Sequence, residues 1–159
     1  MGTGKTTVAQ LLARELDCGF REMDDEIEHD EQKKIKDIFA DKGEDYFRQK
    51  EKNILVRLSS QKSLIVSCGG GVVIDPENRK LLRDTGVVIC LVASPKVIYD
   101  RTKDCGDRPL LNVDDPLNKI KELLTSRDAY YREACHFFID TDTLTPGEVV
   151  SRIKESLSE

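Results

Sequence analysis

The apolar positions of this chain follow a helical period in most segments and condense into short β-branched runs in others. Val8, Leu11, Leu12 and Leu16 recur at helical spacing and predict a first helix, with Gly19 as its C-terminal stop. Phe20 to Asp24 reads as a short strand closed by Asp24, leading into an acidic segment. From there to about Ser60, Ile35, Ile38, Phe39, Phe47, Ile54, Leu55 and Leu58 keep helix-like intervals, so several helices fill the span. Leu64 to Cys68 is a brief apolar run ended by Gly69, Gly70 and Gly71, and Val87 to Val92 is a second, flanked by Gly86 and Pro95. Both have the look of buried parallel strands. Helices are predicted near Pro76 to Arg83, Pro95 to Thr102 and Pro116 to Glu133, because proline suits a first helical turn. His136 to Asp140 predicts a last strand, and Pro146 to Leu157 a closing helix. Strands alternating with helices at this spacing predict an α/β fold, a parallel sheet covered on both faces, without internal repeats.

Composition narrows the function classes. At 159 residues the chain suits one compact domain with one site. Its net charge is −5, from 25 basic and 30 acidic residues with no basic stripe, which argues against a nucleic-acid partner. No stretch approaches the roughly 20 apolar residues of a membrane span, and no apolar signal region opens the chain, so no membrane partner and a cytoplasmic location are expected. Five widely spaced cysteines with no Cys-x-x-Cys pair indicate neither a disulfide framework nor a zinc site, and Cys90 reads as a core residue. The polar, turn-rich stretch of about 103–116 lies between two helical segments and reads as a mobile lid or as an ordinary surface loop.

Candidate chemistry begins at Gly2-Thr3-Gly4-Lys5-Thr6-Thr7, the back half of a G-x-x-x-x-G-K-[ST] phosphate loop set before an amphipathic helix. Glycines let backbone amides converge on phosphate oxygens, and the helix start adds its positive end. Lys5 would reach the β and γ phosphates of ATP, and the Thr6 hydroxyl would ligate Mg²⁺. The motif's first glycine and the apolar strand that should precede it would lie upstream of Met1. The expectation is therefore a chain starting at an internal methionine of a longer protein, with a gap in the sheet and weakened folding and ATP affinity should the short form stand alone.

Further clusters carry a resemblance. Phe20, Asp24, Ile27 and Glu28, then Ile38-Phe39, then Gly43-Glu44-x-x-Phe47-Arg48-x-x-Glu51, the three glycines 69–71, Arg108-Pro109-Leu110-Leu111, and Arg127 with Tyr130 follow one another as they do in shikimate kinases. Over essentially its whole length the chain resembles that family. The resemblance implies a P-loop three-layer sandwich of strand order 2-3-1-4-5, an acceptor-binding subdomain at about 24–52, and a monomer. It also implies transfer of the γ-phosphoryl group of ATP to the 3-hydroxyl of shikimate, in aromatic amino-acid biosynthesis.

The residues have readings of their own beside the resemblance. A carboxylate at Asp24 can accept the proton of an attacking hydroxyl, or merely cap a helix; the resemblance implies the former. Guanidinium forks grip planar carboxylates well, and the family uses the positions of Arg48 and Arg127 for that; Arg48 with Glu51 could otherwise be a surface ion pair. Gly69, Gly70 and Gly71 let a ligand approach bare amides, or form a tight turn. By similarity, Arg108 in the lid closes on the phosphates and Arg101 packs against adenine, with the loop Thr141 to Pro146 on the far side of the base. Two positions depart from the family. Glu22 stands where Asp is usual, keeping a charge that can help organise Mg²⁺ through water, with Ser67 as a second outer oxygen or a serine bonded to backbone. Gln32 stands where Gly is usual. A gluconate-type or nucleotide kinase, and a nucleotide-binding module without catalysis, are the rival readings.

Overall fold

The computed structural model describes residues 2–103 and 109–158. α1 (Lys5–Glu15) buries Val8, Ala9, Leu12 and Ala13 along one face. Its end differs from the expectation at Gly19. Asp17 takes a left-handed φ of 50° and the Cys18 amide donates back to the Ala13 carbonyl at 2.9 Å, a C-terminal cap that aspartate tolerates. Gly19 instead opens β1 (Gly19–Glu22).

β1 is shorter than the sequence suggested. Met23 is fully buried and begins α2 (Met23–Glu31), so Asp24 sits in the first turn of a helix and does not close a strand. Asp24, Asp25 and Glu26 crowd that turn, where the positive end of the helix favours carboxylates and outweighs the weak strand propensity of the preceding residues. Gln32 ends α2 in the left-handed region at φ 52°, which explains why glycine suits this bend. α3 (Ile35–Ser59) is broken at Gly43, whose φ of 78° and ψ of 176° only glycine adopts easily.

β2 (Leu64–Ser67) leads through the glycines to a 3-10 turn at Val72–Ile74 and then α4 (Pro76–Thr85). β3 (Ile89–Val92) starts later than expected, because Val87 is exposed and the Val88 amide donates to His136 Nδ1. α5 (Pro95–Thr102), a 3-10 turn at Pro109–Leu111, α6 (Pro116–Ala134), β4 (Phe137–Asp140) and α7 (Pro146–Ser158) complete the chain. All four helices expected to begin at prolines do so.

The strands are parallel, as expected, but among the described residues they form two pairs, β1 with β2 and β3 with β4, and not one sheet. These are the neighbours 2-3 and 4-5 of the expected order, with no strand described between them. α1 lies across both pairs: Val8 and Leu12 share a core with Val149, Val150 and Ile153 of α7, against Ile65 of β2 and Ile89 and Leu91 of β3. A larger core covers the other face, where Met23, Ile27, Phe47, Ile54, Leu55 and Leu58 pack with Val66 and Cys90. Helices thus cover both faces, with strands between. No helix of the described residues is long and apolar enough to cross a membrane.

Candidate active site

The site is built where α1, α2, the glycine turn and α6 converge. Gly2 and Gly4 enter α1 with φ of 64° and 83°. At Gly2 a Cβ would also lie 2.8 Å from Thr102 Cγ2, so this position needs glycine for space as well as for conformation. Gly4 caps α1 without a side-chain hydrogen bond, which leaves the first amides of the helix and its positive end available to an anion. Thr3 is buried, and among the described residues its hydroxyl has no hydrogen-bond partner.

Lys5, Thr6 and Thr7 form the first turn of that helix. The Thr6 hydroxyl donates to Glu22 Oε2 at 2.6 Å, joining the helix start to the end of β1. Burial pushes the Glu22 carboxyl up and Asp24 adds to the rise, while Thr6, Ser67 and Lys5 oppose it. Ser67 ends β2 and is buried. Among the described residues its hydroxyl makes no hydrogen bond of good geometry, so it is not the backbone-bonded serine of the second reading; it faces Glu22. Among the described residues no group of three or more His, Cys, Asp or Glu is arranged to hold a metal. A pair of oxygen side chains beside a phosphate loop is nevertheless the sparse donor set that Mg²⁺ accepts when phosphates and water supply the rest.

Beside the glycine turn, Glu51 of α3 is 1% exposed. Arg48 Nη1 donates to Glu51 Oε2 at 2.8 Å, and Arg48 Nη2 to Glu44 Oε1 at 2.8 Å. This is no surface ion pair. Burial pushes the Glu51 carboxyl up and Asp24 adds to the rise, whereas Arg48 and Arg127 pull it down. A Cβ on Gly69 would lie 2.9 Å from Glu51 Oε1 and 3.5 Å from Asp24 Oδ1; one on Gly71 would lie 2.3 Å from Arg48 Nη1. Gly69 and Gly71 thus let charged side chains lie flat against bare backbone. Cys68, just before them, is a thiol pushed up to about 12 by burial and by Glu51 and Glu22.

Lys5, Thr6, Glu22, Asp24, Arg48, Gly69, Gly71 and Arg127 thus form one connected group, with Glu51 as the unforeseen centre of the part beside the glycine turn. Arg127 is 8% exposed, and among the described residues it forms no ion pair within salt-bridge distance. Arg101 lies to one side. Its guanidinium donates to the Thr141 carbonyl at 2.8 Å and to the Gly2 carbonyl at 3.4 Å, which joins the phosphate loop to the loop expected to flank the base. Arg108 and the neighbouring lid positions 104–107 fall outside the described residues.

Sequence reasoning missed three further residues. The Tyr131 hydroxyl donates to the Gly70 carbonyl at 2.6 Å. Asn78 Nδ2 donates to the Val72 carbonyl at 3.1 Å, and Arg79 Nη1 to the Val73 and Ile74 carbonyls at 2.8 and 3.0 Å. The one available signal was Tyr131 lying four residues after Arg127, on the same helical face.

Comparisons with known proteins bear on the family and the fold. A family model described as shikimate kinase matches residues 1–158. A shikimate kinase of Dechloromonas aromatica is 43% identical over 150 residues, covering 94% of this chain and 82% of that protein. One from Symbiobacterium thermophilum is 40% identical over 161 residues, covering all of this chain and 92% of that protein. Among solved structures, a shikimate kinase from Acinetobacter baumannii in complex with shikimate superposes with a TM-score of 0.97 at 36% identity, covering 99% of this chain and 88% of the other. The Aquifex aeolicus shikimate kinase superposes with a TM-score of 0.86 at 34% identity, covering 99% and 92%.

Proposed function

The chain belongs to the shikimate kinase family, and on that premise we propose that it moves the γ-phosphoryl group of ATP to the 3-hydroxyl of shikimate, a step of aromatic amino-acid biosynthesis. The observation that carries this reading is the pairing of a helix-start phosphate loop with a separate acceptor half, in which Arg48 and the buried Arg127 flank a glycine turn beside Asp24.

Each residue has a task in that chemistry. The amides of Gly2 to Thr6 and the Lys5 ammonium hold the phosphates, and Arg101 with Thr141 borders the base. Arg48 and Arg127 receive the acceptor's carboxylate, fixing the ring so that one hydroxyl faces the γ phosphorus. Asp24 orients that hydroxyl and takes its proton as the new O–P bond forms and the bond to the β–γ bridging oxygen breaks. Thr6 would hold Mg²⁺ directly and Glu22 through water, the ion when bound neutralising charge on the phosphates. Glutamate, one methylene longer than the family's usual aspartate, reaches Thr6 here, which supports this arrangement. Arg108 is proposed to close over the phosphates from the lid at about 103–116 and exclude water. The chain is taken to act as a monomer, and a cytoplasmic setting suits the four described cysteines, all free.

ADP release measured with shikimate, with gluconate and with common nucleoside monophosphates tests the reading. Turnover on shikimate alone is expected. Turnover on another acceptor in its place, or ATP binding without turnover on any, would overturn it.

A further inference from the structure

The glycine turn is held at every carbonyl from residue 69 to residue 74. The Gly69 and Gly71 oxygens accept from the Val72 and Ile74 amides at 3.2 and 3.0 Å. Those of Val72, Val73 and Ile74 accept from Asn78 and Arg79. The Gly70 oxygen accepts from the Tyr131 hydroxyl at 2.6 Å, a contact spanning 61 positions of sequence. Of these donors, Tyr131 alone sits on α6, the helix that carries Arg127.

Resting on the functional reading above, we propose that Tyr131 is a positioning residue for the acceptor: its phenol locks the glycine turn to the helix face bearing Arg127, so that both halves of the acceptor's binding surface keep one register.

Arg127 and Tyr131 are one helical turn apart and share a face. A phenol has one proton to give, and here it goes to Gly70; the oxygen's lone pairs remain for an N–H of Arg127. The two side chains are close enough that the guanidinium opposes the rise that burial imposes on the phenol. The bond also fixes the peptide between Gly70 and Gly71. That unit is planar and trans, so holding its carbonyl toward α6 points the Gly71 N–H the opposite way. Without the phenol, a peptide between two glycines meets little steric resistance to rotation. A second tie runs beside the first, since Arg79 Nε lies 2.8 Å from Glu133 Oε2 and its guanidinium stacks 4.7 Å from the Tyr130 ring. That tie holds α4 to α6 and does not reach Gly70, so removing the Tyr131 hydroxyl leaves the overall packing of α6 in place.

The test is Tyr131→Phe, assayed for the KM of each substrate and for unfolding temperature, together with Arg127→Lys and the double variant. Loss of one buried hydrogen bond at the acceptor should raise the KM for shikimate about 10-fold while leaving that for ATP within about twofold. In the double variant the KM should rise by clearly less than the product of the single effects, because both substitutions disable one unit. Tyr130→Phe, which keeps the ring that Arg79 covers, should change neither constant. The proposal falls if Tyr131→Phe fails to fold, if it moves both KM values together, or if the single effects multiply. A parent enzyme that does not phosphorylate shikimate sinks the functional reading itself, whereas normal turnover with an indifferent Tyr131→Phe sinks only this inference.

Discussion

Gly71→Ala isolates what bare backbone does for this site. Gly71 has φ −92° and ψ −7°, a conformation any residue adopts, so alanine brings no backbone strain. The new methyl, however, would lie 2.3 Å from Arg48 Nη1 and 2.5 Å from both Cζ and Nη2. Ordinary carbon contacts begin near 3.5 Å, so the guanidinium must retreat by about 1 Å. A retreat of that size lengthens the 2.8 Å bond to Glu51 beyond hydrogen-bonding range. Glu51, 1% exposed, would then be a buried carboxylate without its main partner. Breaking such a pair outright costs about 3–5 kcal/mol. Arg48 can follow part of the way and keep Glu44, so a loss of about 2 kcal/mol in unfolding free energy is expected, with the KM for shikimate raised about 10- to 100-fold. Denaturant unfolding and steady-state kinetics read both quantities. Gly86→Ala is the control, since its Cβ would meet nothing within 4 Å, and should change stability by no more than about 1 kcal/mol. If Gly71→Ala matches wild type in both measurements, the packing of Arg48 on this turn has no functional weight.

Asp24→Asn should lower kcat about 10²- to 10⁴-fold while ATP binding, followed by fluorescent-nucleotide displacement, is retained; equal loss of both would point to misfolding. Gln32→Gly should stabilise the fold by about 1 kcal/mol in chemical denaturation, because Gln32 is held at φ 52°; its side-chain bond to the His29 carbonyl offsets part of that strain. Glu31 bonds Lys50, Tyr46 and Lys42, which hold its carboxyl down to about 2. A depressed carboxylate stabilises above its unfolded value near 4.5 and loses that contribution as pH falls through about 2, so Glu31→Gln should be less stable than wild type at neutral pH and draw level with it only below about pH 2.

How much of this was legible in sequence depended on whether a feature is local. The phosphate loop, the proline-started helices and the alternation of strand with helix are set by neighbours in the chain, and all stand where periodicity and turn chemistry put them. Asp24 was placed on the wrong element because four residues of strand, Gly19 to Glu22, carry too little pattern to locate an end, whereas the burial of Met23 that starts α2 is a tertiary fact. Gly19 lost its capping role to Asp17 for a similar reason, since either residue can turn a chain and only packing chooses.

The site divides along the same line. Arg48 and Glu51 are three apart, and sequence could not tell a solvated pair from a buried one. Burial changes their chemistry: an exposed pair contributes little, whereas here Glu51 orients the arginine proposed to grip the acceptor. Tyr131, Asn78 and Arg79 were hard to find because the groups through which they hold this turn are backbone carbonyls, which carry no sequence signal; only the spacing of Tyr131 from Arg127 hinted at one of them. On the reading proposed above, Tyr131 holds the glycines at Gly70, which are flexible by themselves, while Asn78 and Arg79 hold the turn that follows them at Val72 to Ile74. A motif of small residues therefore names a place where something approaches closely, and the residues that hold it still must be sought on the helices packed behind it.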